Sequence, residues 1–248
     1  MRLAFASLVG APGATTLWHA AGIRWSAPRV LLIEADPDGG RIAARTGLSL
    51  DRDAPTLITL AGAIRHRVDD EVVWRHTQTL GDLAVVVAPS SPRVAERAVT
   101  HLANKWSEVD AALGNSTDVL VDVGRLRAGG AGLRIAASCD QCLVVVRPVL
   151  DEITVLLDSL DDLADTATIK VVVRGHDGYP MADIAKAISD RRPDVELVAT
   201  LADDRRGVAV LNGDATMTAK RFERSPLVRS VDEILTAVGQ FAEAGASA

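Results

Sequence analysis

The sequence predicts an α/β protein: a doubly wound, mostly parallel sheet flanked by helices. Three observations carry that prediction. Short apolar runs of strand length alternate with helical patterns along the chain. The runs are continuous rather than alternating, as strands buried on both faces require. Glycine- and aspartate-rich segments follow three of them, at the carboxyl ends where open parallel sheets bind ligands. With 248 residues, 48% apolar but only 3% aromatic, the chain can bury a substantial core of Ala, Val, Leu and Ile.

Taken in order, strands are expected at 3–9, 29–34 (RVLLIE), 83–88 (LAVVVA), 118–123 (DVLVDV), 142–147 (CLVVVR), 169–174 (IKVVVR) and 195–201 (VELVATL). One helix opens at Thr15–Thr16, and others are expected over 93–113, 151–164, 181–191 and 227–243. The stretch VLDEITVLLDSLDDL shows why: its apolar residues recur at helical spacing, with acids on the other side. With no internal repeat or linker, 1–243 reads as a single domain and 244–248 as a frayed tail.

A formal charge of -6 and a pI near 5.4 argue against general affinity for nucleic acid or anionic lipid. Residues 3–23 lack Asp, Glu, Lys and Arg, yet Gly10, Pro12, Gly13, Thr15, Thr16 and His19 break the run too often for a membrane span. The same stretch could pass for a secretion signal; strand, loop and helix fit it better, so a cytoplasmic protein is expected. Cys139 and Cys142 form one C-x-x-C ahead of a strand. With no second pair and no spaced histidines, zinc or an iron–sulfur cluster is not expected, and structural thiols are.

Three strand ends assemble a candidate site. The first is VGAPGATT (9–16), laid out like a GxxxxGK[ST] phosphate loop but with Ala14 where the lysine belongs. The second, IEADPDGG, places Glu34 and Asp36 at the rim. The third, LVDVG, delivers Asp122, the type of carboxylate that holds metal-bound water beside a phosphate loop.

Together these segments resemble the MinD/ParA-type P-loop ATPases with the deviant Walker A loop Lys-Gly-Gly-Val-Gly-Lys-Thr-Thr. LLIEADPDGG resembles that family's Asp-x-Asp-Pro segment and TDVLVDVG its Walker B strand. VATLADDRRGVAVLNGD and RSPLVRSVDEIL resemble its late segments, so the likeness covers nearly the whole chain. Within the family, GRIAARTGLSLDRDAPTLITLAGAIR and LAVVVAPSSPRVAE are most similar to the CpaE/TadZ branch, whose members localise and assemble Flp/Tad pilus machinery. The resemblance implies a P-loop NTPase fold, ATP with Mg as ligands, and a homodimer working with proteins of a secretion, pilus or positioning machinery.

Carried over residue by residue, the resemblance implies nucleotide contacts from Gly10, Ala11, Gly13, Ala14, Thr15 and Thr16. It implies magnesium held by Thr15, Asp36 and Asp122, with Asp36 orienting water or vestigial. Both family lysines are missing: the loop lysine is Ala14 and the signature lysine is Val9. Pro12 lacks an amide donor, Ala11 adds a Cβ, and Arg174 stands where the family places an adenine-reading asparagine. A charge-assisted lysine–phosphate contact contributes roughly 1.5–3 kcal/mol, so ATP and Mg binding should be weakened and hydrolysis more so. Arg41, Arg125 and Arg127 are candidates to replace the lysines in cis, the plainer reading of each being a solvated loop residue. Arg174 would stack on a base or, more plainly, cap the sheet rim, and 124–132 (GRLRAGGAG) should be a switch-like loop.

Three functions follow. The first is a positioning or assembly factor acting through protein contacts with weak or no hydrolysis. The second is an active ATPase switch using arginine. The third is a DNA-partition protein binding through Lys220, Arg221, Arg224 and Arg229, which the acidic balance disfavours. Residues 230–248 contain no Lys or Arg, so a membrane-targeting basic helix is not expected.

Overall fold

The computed structural model describes residues 1–10 and 13–240. Its sheet is built outward in two directions from the first strand. Strands β1 (Arg2–Ser7), β2 (Val30–Glu34), β3 (Gln78–Leu80), β4 (Leu83–Val86), β5 (Asp118–Arg125), β6 (Gln141–Val146), β7 (Ile169–Arg174) and β8 (Glu196–Leu201) lie in the order β3-β4-β2-β5-β1-β6-β7-β8. All neighbours are parallel except β3, which folds back on β4 with Leu80 opposite Leu83.

Residue alternation explains why the strands read as unbroken apolar runs. Along β1, Ala4 and Ala6 enter one core while Leu3 and Phe5 enter the other. On β6, Cys142, Val144 and Val146 divide from Leu143 and Val145 in the same way. The Leu3/Phe5 face is covered by α1 (Ala14–Arg24), α2 (Ile42–Thr46), α10 (Arg205–Leu211), and α12 (Pro226–Ala237). The other face carries α3 (Leu57–Ala63), α4 (Asp70–Arg75), α5 (Pro92–Asn104), α6 (Trp106–Leu113), α7 (Ala131–Ala136), α8 (Leu150–Ala164) and α9 (Met181–Arg191). A short α11 (Ala219–Glu223) precedes α12. Trp18 ties α1 to the sheet by donating from Nε1 to the Leu120 carbonyl at 2.9 Å, and Arg24 pairs with Asp232 across α1 and α12.

Several expectations are corrected. The helix expected over 93–113 is two, broken at Lys105, whose backbone (φ −111°, ψ 7°) leaves the helical region. The final helix ends at Ala237, with Gly239 at φ 83°; residues 241–243 of the expected span and the tail 244–248 lie outside the described residues. The first strand stops at Ser7, and the 124–132 loop is shorter than expected, since Gly124 and Arg125 finish β5 and Ala131 opens α7. Strand β3 was missed: it is three residues long, at the sheet edge and half-exposed, so no apolar run announces it. Among the described residues, no helix is long and apolar enough to cross a membrane.

Candidate functional site

Helix α1 begins directly above the carboxyl end of β1. Gly13 is its N-cap at φ 111°, a backbone conformation that side chains disfavour, and no side chain caps the amides that follow. Ala14, Thr15 and Thr16 therefore present N–H groups without a partner among the described residues, and the positive end of the helix dipole, to a cleft of about 320 Å³. Gly10, Gly13, Ala14, Thr15, Thr16, Asp36, Arg125 and Arg174 all line this cleft, so the structure brings together the residues that the sequence singled out. Ala11 and Pro12, with the lost donor and added Cβ read at them, lie outside the described residues.

Asp122 sits beneath the cleft floor, fully buried on β5 opposite Phe5. Its Oδ1 accepts from the Gly124 amide at 3.1 Å, and its Oδ2 has no hydrogen-bond partner among the described residues. Burial pushes its carboxyl up to about 7, helped by the charges of Asp36 and Glu34; the facing Thr15 hydroxyl and the Gly124 amide oppose the rise. An orphaned, buried carboxylate oxygen facing a threonine at a helix N-terminus fits a hydrated divalent cation. Among the described residues no group of three or more His, Cys, Asp or Glu could hold a metal, so such an ion would draw on Thr15, water and the ligand.

Asp36 follows β2. Its Oδ1 accepts from the Asp38 amide at 2.8 Å, and its carboxyl presses on the backbone of Gly124. Gly124 has φ 64°, and any Cβ there would collide with Asp36. An extra residue in β5 between the partners of Phe5 and Ala6 makes this approach, and it leaves Arg125 paired with Ser7 at the cleft edge. Burial raises the Asp36 carboxyl, while the charges of Arg41 and Arg127 hold it down.

Glu34 does not stand at the rim as expected. It is 1% exposed, and its carboxylate accepts from the Arg41, Ile42 and Ala88 amides at 2.6, 3.0 and 3.0 Å. It secures the start of α2 against the end of β4, a structural task. Burial raises its carboxyl, the three amides opposing.

The arginines divide into two sets. Arg127 pairs with Asp38 at 2.8 Å and does not line the cleft, so it is removed as a lysine substitute. Arg174, the last residue of β7, pairs with Asp203 just beyond β8 at 2.8 Å, bridging the strand ends at the sheet rim, and it also lines the cleft beside Gly13. Arg41, Arg45 and Arg125 line the cleft and make no ion pair among the described residues. Arg125 reaches over the loop: its Nη2 would stand 3.1 Å from a Cβ on Gly10, and its buried Nε has no partner among the described residues. Sequence reasoning missed Arg45 and Asp203. Arg45 was findable, since it lies four residues after Arg41 and so on the same helical face.

Two other features were singled out by the sequence. Cys139 and Cys142 are free and buried; burial pushes the Cys142 thiol up to about 12 and Cys139 higher still, so both are inert structural thiols. Lys220, Arg221 and Arg224 join Arg206 around a separate cavity of about 440 Å³, and none of the four makes an ion pair among the described residues. Arg229 instead donates to the Arg224 carbonyl.

No protein-family model matches the chain, and no curated protein sequence matches it. Solved structures do. A ParA family ATPase from Chlorobium tepidum superposes with a TM-score of 0.73 at 14% identity, over 96% of this chain and 97% of that one. A McdA variant from Cyanothece in complex with ATP gives 0.72 at 17%, over 98% of each chain. The septum site-determining protein MinD from Pyrococcus horikoshii, complexed with Mg-ADP, gives 0.68 at 15%, over 96% of each. The fold is that of the ParA/MinD-type P-loop ATPases.

Proposed function

We propose that the chain is a positioning or assembly factor of the ParA/MinD kind that binds a magnesium nucleoside triphosphate through arginines and turns it over slowly or not at all. The observation that carries this reading is the cleft's unpaired charge. Arg41, Arg45 and Arg125 line the cleft with the start of α1 and make no ion pair among the described residues, Arg41 acting on the Asp36 carboxyl only at a distance. A triphosphate supplies the anion these cations lack, and guanidinium groups bind phosphate through paired donors. Structures of the same fold in complex with ATP and with Mg-ADP support a magnesium nucleotide as the ligand.

Magnesium would be held by Thr15 and, through water, by Asp122 and Asp36; when bound it neutralises charge on the phosphate oxygens. Water on such an ion would donate to Oδ2 of Asp122, which is buried and has no partner among the described residues. Hydrolysis is expected to be slow because Ala14 offers only a methyl group where the loop lysine would follow charge onto the transferring phosphoryl. Work then passes through protein contacts. The resemblance to the CpaE/TadZ branch points to pilus assembly as the client machine, and an apolar Val9 points to a homodimer that does not depend on nucleotide.

Calorimetric titration with magnesium nucleoside triphosphates tests the reading. Saturable binding that weakens in Arg125→Ala and loses its magnesium dependence in Asp122→Asn is the expected result. No heat up to millimolar nucleotide would overturn it in favour of a purely protein-binding scaffold. Turnover matching active ATPases, abolished by Asp36→Ala, would overturn the slow-hydrolysis part.

A partition-type reading has one observation behind it, the unpaired cluster of Arg206, Lys220, Arg221 and Arg224. It requires steeply salt-dependent binding to arbitrary duplex DNA, lost on Arg221→Glu with Arg224→Glu. The net charge of -6 weighs against it.

A further inference from the structure

Beyond β8 the chain builds a second cavity, of about 440 Å³, from the start of α10, the segment around α11 and the turn into α12. Helices α10 and α12 contribute to both cavities with different residues. Val208 and Leu227 line the cleft, Arg206 and Pro226 line the second cavity, and no described residue lines both. Hydrogen bonds to the backbone hold this frame. Asp204 accepts from the Gly207 amide at 2.9 Å and from the Leu227 amide at 3.3 Å, one on each carboxylate oxygen, and Arg229 donates to the Arg224 carbonyl at 2.7 Å.

Arg206, Lys220, Arg221 and Arg224 line the cavity and make no ion pair among the described residues. Acids are not scarce: Asp and Glu outnumber Lys and Arg by 33 to 27, and Arg24, Arg29, Arg191 and Arg192 each find one. The acids nearest the cluster do not neutralise it. Asp204 is engaged with two amides, and Glu223 of α11 does not line the cavity. Arg224 closes α11 one turn after Lys220, and like charges at that spacing destabilise the helix that carries them. An anion from outside relieves that repulsion. Half-buried Met217 and Pro226 add apolar surface to the same cavity, and a flexible methionine adapts to varied side chains.

We propose that this cavity docks an acidic segment of a partner protein, carboxylates pairing with Arg206, Lys220, Arg221 and Arg224 while an apolar side chain lies on Met217 and Pro226. The proposal gives the protein contacts of the proposed function a surface and rests on that part of the reading, not on nucleotide in the cleft. Guanidinium matches carboxylate through paired donors. Duplex DNA fits less well: its phosphates meet a chain of net charge -6 and offer nothing apolar to Met217.

Fluorescence anisotropy of a labelled peptide of Glu-Glu-Leu repeats tests this on the full chain, with Glu-Glu-Ser repeats, Gln-Gln-Leu repeats and duplex DNA as comparators. The Glu-Glu-Leu peptide should bind and the Gln-Gln-Leu peptide should not. Arg221→Glu with Arg224→Glu should weaken binding about thirtyfold or more, because two charge-assisted contacts become repulsions. Both side chains are exposed, so melting temperature should not move. Met217→Ser should weaken the Glu-Glu-Leu peptide about threefold and leave the Glu-Glu-Ser peptide unchanged, which a surface that attracts any anion would not do. Equal binding of the Glu-Glu-Ser and Glu-Glu-Leu peptides, or no response to the arginine reversal, overturns the proposal. Displacement of the peptide by a lower concentration of duplex DNA overturns it in favour of nucleic acid. Calorimetry with magnesium nucleoside triphosphates reads the cleft separately: triphosphate binding without peptide binding overturns the docking surface alone, and absence of both overturns both readings.

Discussion

On the β2/β5 side of the cleft, Asp36 and Asp122 stand where packing dictates what can be there. Asp122 is fully buried with the Gly124 amide on one oxygen, and Asp36 lies so close to Gly124 that only glycine fits at 124. Around the mouth of the same cleft, Arg41, Arg125 and Arg174 reach in from the rim with their side chains partly in solvent. A rim side chain can be exchanged at small cost to the fold, whereas a strand-end carboxylate is tied to the backbone beside it. Metal-side chemistry and phosphate-neutralising charge are therefore separable in this protein. The phosphate loop lacks its lysine, yet cations stand nearby.

The sharpest way to break that division is to remove the rim charge. Arg41→Ala combined with Arg125→Ala should weaken triphosphate binding by about two to three powers of ten, on charge-assisted contacts of roughly 1.5–3 kcal/mol each. Melting temperature should barely move, since neither arginine has an ion-pair partner among the described residues. An affinity loss below threefold in calorimetry would show that the lysine has no substitute here.

The buried carboxylates should answer in stability first. Burial raises Asp122 from 3.8 to about 7. Between those values the native state holds a proton that the unfolded chain has released, so stability declines as pH rises through the window. Asp122→Asn removes that decline. Denaturant unfolding should find the variant more stable at pH 8 by on the order of 2–4 kcal/mol and equal to the parent below pH 4. Triphosphate binding should also lose its response to magnesium. A variant less stable at pH 8 would mean the native carboxylate already has a partner.

The same contrast explains what could be read in the sequence. Strands buried on both faces announce themselves as apolar runs, and Asp36 and Asp122 were found because they end such runs. Edge strand β3 has no such run, and the break at Lys105 carries neither Gly nor Pro to mark it. Glu34 was misplaced because sequence gives its position after β2 but not the three amides that draw it inward. Arg127 and Arg125 looked alike as loop arginines; only three-dimensional packing gives one an Asp38 partner and sets the other over Gly10. Position along a strand is local information, whereas the partner of a rim charge is not.

Restoring the missing lysine sharpens the division from the other direction. Ala14 is the first residue of α1, 6% exposed and lining the cleft. Ala14→Lys should tighten triphosphate binding about tenfold, near 1.4 kcal/mol, and raise turnover measured as phosphate release. Tighter binding without faster turnover would place the remaining deficiency on the metal side.

The smallest effect tests where Arg125 lies. Gly10 has no left-handed φ that a side chain would strain, and among the described residues a Cβ there meets only Arg125 Nη2, at 3.1 Å. The far end of a flexible side chain can give way by a few tenths of an ångström, so Gly10→Ala should leave the melting temperature unchanged. It should still push the guanidinium off the loop and weaken triphosphate binding severalfold, a loss of about 0.5–1 kcal/mol. In Arg125→Ala the same substitution should have no further effect, because the group it displaces is gone. Equal losses in both backgrounds would mean that the added methyl group acts on the phosphate directly and that Arg125 binds elsewhere.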